Sequence, residues 1–341
     1  MSFDLFGSLQ ELIVGGLGWP MWVYNVAAAL LKALLALVFV LLNVLFLIWL
    51  ERKVSGHIQQ RMGPMRVGWH GALQTLADVF KLIAKEDIVP AGADRRVFAL
   101  APIIAFAPAL AVYAVLPWGP GLVARDLNIA LVYIAAISSM VVIAILMAGW
   151  SSNNKWSLLG SIRSAAQLIS YEVPLVISIV AVAMLAGSLS LKEIVEAQLG
   201  GVWYILIQPI GFVIFFIATL AELNRGPFDL PEAESELVAG YQTEYSGMRW
   251  AMWMLSEYGA MVSSSAIGVA LYFGGWSGPA FLPGAIWFLL KVYVLIFVIM
   301  WVRWTFPRIR VDQLMDVGWK GLVPLSLVNL VITGIYVISR S

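Results

Sequence analysis

The sequence predicts an all-α, polytopic membrane protein with about eight transmembrane helices. Amphipathic helices are expected in its cytoplasmic loops, and both termini on the outer side. Three observations carry this prediction. Of 341 residues, 61% are apolar and only 12% are charged, against about a quarter charged in a soluble domain. Long uncharged runs recur, each near the roughly 20 residues that a helix needs to cross a bilayer. Lys and Arg concentrate in alternate loops, as the positive-inside rule requires.

The first span covers 24–50, anchored at the interface by Trp19, Trp22 and Tyr24, with Lys32 placed to snorkel outward. The second covers 97–117, the third 127–150, the fourth 167–187 and the fifth 202–222. The uncharged stretch that follows Tyr258 is too long for one span, and GGWSGP at 274–279 divides it. That leaves a sixth span at 250–273 and a seventh at 284–302, which holds Lys291 near its middle, where snorkelling is difficult. The eighth covers 321–339. The loops after odd-numbered spans and their borders hold 16 Lys and Arg, against Arg125, Lys192 and Arg340 on the other side. That asymmetry puts the odd-numbered loops in the cytoplasm. No cleavable signal is expected, because the first eleven residues contain no basic group.

A single membrane domain, 1–341, is expected, with two long cytoplasmic loops at 51–96 and 222–249. In the first loop, 71–87 places Leu73, Leu76, Phe80 and Ile83 on one helical face, and Gln74, Asp78, Lys81 and Lys85 on the other. Such a helix lies along an interface or against a partner. An ordinary surface connector has the same pattern. The second loop carries Asp229, Glu232, Glu234, Glu236 and Glu244 with no Lys or Arg between them. The run DLPE has the form of a capping box, with Asp229 at the N-cap and Glu232 at N3, and Gly240 is placed to end the helix. Capping does not account for Glu234 and Glu236.

Charges within a span cost at least roughly 2.5 kcal/mol near the bilayer centre, so each needs a reason. Glu172 lies early in span four, Glu222 ends span five, and Glu257 sits about two turns into span six. All three therefore fall in the cytoplasmic part of the membrane. Carboxylates clustered in low dielectric interact and share protons. That suits a proton path or a charge-sensitive switch. Glu222 is also open to simple solvation at a helix end, and Glu172 to a structural pair with Arg163 if the helix bends.

Other chemistries are excluded. Cysteine is absent, and both His, His57 and His70, fall in one loop. This chain therefore offers no thiolate metal site, no iron–sulfur ligation and no paired-His haem site in the bilayer. The P-loop, the dinucleotide fingerprint, H-E-x-x-H and a Ser–His–Asp set are all missing. A net charge of +1 points to no nucleic-acid partner. No catalytic residue and no metal is assigned to the chain.

Four stretches are distinctive: WLERKVSGHIQQRMGPMRVGWHGALQTLADVFKLIAKED, GWSSNNKWSLLGSIRSAAQLISYEVP, AELNRGPFDLPEAESELVAGYQTEYSGM and RWTFPRIRVDQLMDVGWK. Together, in this order, they resemble the NuoH family of respiratory complex I, the proton-pumping NADH:quinone oxidoreductases. The resemblance covers nearly the whole chain except about the first twenty residues. It implies an eight-span subunit at the heel of the membrane arm of a bacterial inner-membrane complex. Its partners would be peripheral-arm quinone-site subunits, antiporter-like membrane subunits and lipid. Its substrate would be quinone, with flavin and iron–sulfur clusters on partner subunits. The resemblance assigns Glu51, Arg52, Arg61, Arg225, Phe228 and Asp229 to the quinone chamber. It assigns Glu172, Glu222, Glu232, Glu234, Glu236 and Glu257 to proton coupling, and Arg303 and Arg308 to a basic cytoplasmic patch. Some members carry a further acid in the third span. Here 127–150 has none, which leaves that point to a water or a polar side chain.

Three other readings have their own signatures. A membrane anchor of a ferredoxin-driven oxidoreductase or an energy-converting hydrogenase would differ in its electron donor. An autonomous transporter would show internal repeats and broken helices. An inert scaffold would tolerate neutral replacements of Glu172 or Glu257.

Overall fold

In the computed structural model, residues 20–230, 238–279 and 281–340 are described; among them there is helix and no strand. Helix α1 is Met21–Ile58, α2 Gln74–Ala84, and α3 Arg95–Ala111. Helices α4 (Ala130–Ser138) and α5 (Met140–Ser151) together fill the third expected span. Helix α6 is Lys155–Ala186, α7 Leu191–Gln198, α8 Tyr204–Ile207 and α9 Pro209–Glu222. Helix α10 is Gly247–Tyr272, α11 Gly284–Thr305, α12 Val311–Asp316 and α13 Val323–Arg340, with a π-helical turn at Val317–Leu322 between the last two.

Six helical segments are long and apolar enough to cross a membrane: Met21–Ile58, Arg95–Ala114, Ala130–Ser151, Lys155–Ala186, Gly284–Thr305 and Val311–Arg340. The chain is thus an all-α, multi-pass membrane protein. The other two expected spans are also helical. Helix α10 has the length, at 26 residues, but Ser256, Glu257 and Ser263–Ser265 make it more polar. The fifth expected span is not one helix over 202–222. It breaks at Gln208 (φ −127°, ψ 61°), and α9 has 14 residues, roughly 21 Å of rise. Pro209 is the cause, since a proline pushes the residue before it out of the helical region.

Helix α6 is the central rod. It begins twelve residues before the expected start of span four and is capped by Asn154, whose side chain accepts from the Trp156 amide at 2.9 Å. Helices α5, α9 and α13 all pack on it, while α3 packs on α5 and α10. Small residues set these approaches. A Cβ on Gly149 of α5 would lie 2.8 Å from the Ser157 carbonyl oxygen, and one on Gly160 would lie 2.7 Å from the Gly240 Cα. Gly240 itself has φ +55°. It opens a 3₁₀ turn, Gly240–Gln242, in a conformation that suits glycine.

The amphipathic segment expected over 71–87 is α2 proper, preceded by a 3₁₀ turn at Trp69–Gly71. Its Leu73, Leu76, Phe80 and Ile83 remain exposed on the chain. Lys32 donates to the Ala124 carbonyl at 3.0 Å. Lys291 does not need to snorkel. Its ammonium donates to the carbonyls of Phe273, Gly275 and Ser277 at 2.7, 3.0 and 2.7 Å and stands 4.4 Å from the centre of the Trp203 ring. Those carbonyls belong to the turn between α10 and α11, so the lysine satisfies backbone acceptors that the bilayer would leave unpaired.

Candidate functional site

The site forms where α1, α10 and α11 meet the chain leaving α9. On α1, Leu47, Glu51 and Ser55 are buried. They are four residues apart and share a face. Arg52 is one residue on, about 100° around the helix, and points outward. After α9 the chain turns through Asn224 at φ +50°. Gln167 of α6 holds this turn: its Nε2 lies 2.8 Å from the Ala221 oxygen, 3.2 Å from Asn224 Oδ1 and 2.9 Å from the Phe228 oxygen. The result is a fixed platform for 225–229.

Arg225 is fully buried. Its Nη1 donates to Glu51 Oε2 at 2.9 Å, and its Nη2 lies 2.9 Å from Glu257 Oε1. The second contact is an ion pair that misses hydrogen-bond alignment. Arg303, near the end of α11, donates to Glu51 Oε1 at 2.6 Å and lies 4.0 Å from Glu257 Oε1. The Arg225 guanidinium also stands 4.7 Å from the centre of the Tyr258 ring, within cation–π range. Two cations and two carboxylates thus neutralise one another below the surface, the arrangement that buried charge requires.

Beside this network, Arg308 Nη2 lies 3.6 Å from Asp229 Oδ2. Asp229 Oδ1 is buried and has no hydrogen-bond partner among the described residues. Burial pushes the Asp229 carboxyl above the ordinary carboxylate range, and the pull of Arg303 and Arg308 does not cancel it. The ring of Phe228 packs against Tyr171 at 5.4 Å.

Glu257 faces a second feature. With Glu172 and Glu222 it lines a cavity of about 120 Å³ between α3, α4, α5, α6, α9 and α10. Thr219, Asn224, Ser256 and Ser263 add polar groups to a mostly apolar wall. That volume is large enough for several waters. Glu172 accepts a hydrogen bond from Ser139. The three acids grouped by depth in the sequence therefore share one cavity.

The expected chamber residues do not all converge. Glu51, Arg225, Phe228 and Asp229 cluster. Arg52 leaves them and pairs with Asp78 of α2 at 2.6 Å. Burial raises the Asp78 carboxyl, but the hydrogen bond and charge of Arg52 outweigh it and hold the group below its usual range. Arg61 is exposed and bonds Gln59 at 2.7 Å. Both departures follow from helix phase and from the chain turning outward after Ile58. Arg303, expected on a cytoplasmic patch, belongs to the buried network instead, while Arg308 pairs with Asp229. Glu232, Glu234 and Glu236, and with them the capping box begun by Asp229, lie outside the described residues. Glu244 accepts from Asn154 Nδ2 at 2.6 Å. Among the described residues, no three His, Cys, Asp or Glu are placed to hold a metal ion.

The family described as NADH dehydrogenase matches residues 31–334. The chain is 50% identical to H subunit 1 of the NADH-quinone oxidoreductase of Geobacter sulfurreducens, over the full length of both. It is 51% identical to the corresponding H subunit of a Geobacillus species, covering 96% of this chain and 98% of the relative. With the H subunit of Bacillus thuringiensis the identity is 54%, over 89% of this chain and 92% of the relative. This chain belongs to the NuoH family, the H subunits of NADH-quinone oxidoreductases.

Proposed function

We propose that the chain is the heel subunit of the membrane arm in a proton-pumping NADH:quinone oxidoreductase of a bacterial inner membrane. It walls part of the quinone-access chamber and couples quinone reduction to proton movement. The isolated chain catalyses nothing. Flavin and iron–sulfur clusters reside on peripheral-arm partners, and antiporter-like subunits receive the coupling signal. Apolar side chains exposed along α1 and α13, such as Leu30, Leu42, Val331 and Ile335, suit contact with lipid or with those subunits.

One observation carries the coupling: Glu257 belongs to both features. It pairs with Arg225 at 2.9 Å on one side and lines the cavity of Glu172 and Glu222 on the other. An anionic quinone head beside Phe228 and Asp229 competes for Arg225 and Arg303. Glu257 then has less cationic support and takes a proton from the cavity. The altered charge there redistributes protons among Glu172, Glu222 and the waters between them. Glu232, Glu234 and Glu236 are proposed to extend this set at the cytoplasmic loop. Arg52 and Arg61 hold the first cytoplasmic loop at the chamber entrance.

The subunit composition of the native complex tests the assignment. Flavin-bearing NADH-oxidising subunits are expected to co-purify with a tagged chain. Hydrogenase or ferredoxin-oxidising subunits in their place would overturn it.

A further inference from the structure

We infer that the Ser139 hydroxyl is a positioning residue for the proton on Glu172, switching its hydrogen bond between the carboxylate and the Ala135 carbonyl as Glu172 gains or loses that proton. The inference rests on the proposed coupling role of Glu172.

Ser139 is the joint between α4 and α5. Its backbone stays near helical values, φ −58° and ψ −23°. Its Oγ reaches two acceptors, Glu172 Oε1 and the Ala135 oxygen, the latter at 2.9 Å. A hydroxyl has one proton and serves one of them at a time. The Ala135 oxygen does not depend on it, because Ser138 Oγ at 3.1 Å and the Ser139 amide at 3.3 Å also point there. The Ser139 proton is therefore free for Glu172.

Glu172 needs it. The cavity wall contributes Glu222 and Glu257 as its other charged groups, and no Lys, Arg or His among the described residues. An ionised Glu172 then faces two acids, with Ser139 as the hydrogen-bond donor among the described residues. A bond from a hydroxyl to a carboxylate is stronger than one to a carbonyl, so ionised Glu172 captures the proton. When Glu172 is protonated, its own O–H donates to Ser139 Oγ, and the serine O–H turns to Ala135. No bond of the serine breaks, no proton leaves it, and only a hydroxyl rotates. Ala135 and Ser138 also line the cavity, so the two states differ at its wall. The third span thus takes part without an acid of its own.

The test uses the assembled complex in native membranes, with Ser139→Ala, Ser139→Thr and Glu172→Gln side by side. Electron transfer from NADH to a soluble artificial acceptor checks assembly. A hydrogen bond to a charged group shifts an equilibrium by about tenfold or more. Coupled quinone reduction in Ser139→Ala is expected to fall by about tenfold, with Ser139→Thr near wild type. The infrared carboxyl band that Glu172→Gln removes is expected to shift in Ser139→Ala and to stay in Ser139→Thr. Wild-type turnover and an unshifted band in Ser139→Ala, with Glu172→Gln inactive, would overturn the serine role alone. A loss that Ser139→Thr fails to rescue would overturn it too, by reducing Ser139 to packing. Wild-type pumping in Glu172→Gln would overturn the coupling role itself. If Ser139→Ala fails to assemble, the band in Ser139→Cys decides between the same outcomes.

Discussion

Replacing Arg225 with Met removes the hub of the buried network and leaves a similar volume. Glu51 keeps Arg303 at 2.6 Å, but the nearest cation to Glu257 becomes Arg303, at 4.0 Å. Each close pair is worth roughly 4 kcal/mol at an effective dielectric near 20, and the cost of dehydrating a fully buried guanidinium offsets much of that sum. Removing one partner of a buried pair costs about 3–5 kcal/mol, because the other charge is left behind. The Arg225→Met complex is therefore expected to assemble poorly and to lose quinone reductase activity on heating far faster than wild type. The half-life at fixed temperature is the observable, since unfolding of such a complex is irreversible. Adding Glu257→Gln removes the stranded carboxylate and is expected to restore about 1–2 kcal/mol, within the range of coupled neighbours. If the double variant is worse than Arg225→Met by the full effect of Glu257→Gln alone, the two residues are not coupled and the network as drawn is wrong.

Lys291→Met strips three donors from the turn between α10 and α11; a stability loss of about 3 kcal/mol or more is expected, read as reduced content of the chain in membranes. Gly149→Ala forces α5 from α6, costing about 1–3 kcal/mol by overpacking, with thermal inactivation as the assay. Arg52→Ala frees α2 from α1 at a cost of about 1 kcal/mol or less, as for an exposed pair. It is expected to speed tryptic cleavage at Lys81 and Lys85 while the complex stays assembled. Asp229 is an acid raised in the folded state. Its contribution is complete below the unfolded value, about 4, and is lost as the pH rises through the folded value. Asp229→Asn is therefore expected to flatten the decline in thermal half-life as pH rises from about 4 towards neutrality, and an unchanged slope would count against it.

The helices are legible in the sequence because apolar runs of membrane length are hard to mistake. Their internal breaks are less so. Hydropathy runs smoothly through Gln208, and only the steric effect of Pro209 on the residue before it marks the break. The start of α6 at Lys155 is hidden because its first turns are amphipathic and lie outside the apolar run. Depth counting does place Glu172, Glu222 and Glu257 in one layer, and they share a cavity. The pairing of Arg225 and Arg303 with Glu51 spans 174 and 252 residues, and no local pattern encodes it. One cue is available: Leu47, Glu51 and Ser55 at intervals of four mark the inward face of α1 and put Arg52 off it.

The proposed coupling turns on Glu257 joining the ion network to the acid cavity. The direct measurement is the number of protons pumped per electron by the assembled Glu257→Gln complex, with NADH oxidation by an artificial acceptor as the assembly control. The expected result is intact artificial-acceptor activity with pumping lost or strongly reduced. Wild-type quinone turnover with a wild-type proton ratio would contradict that role.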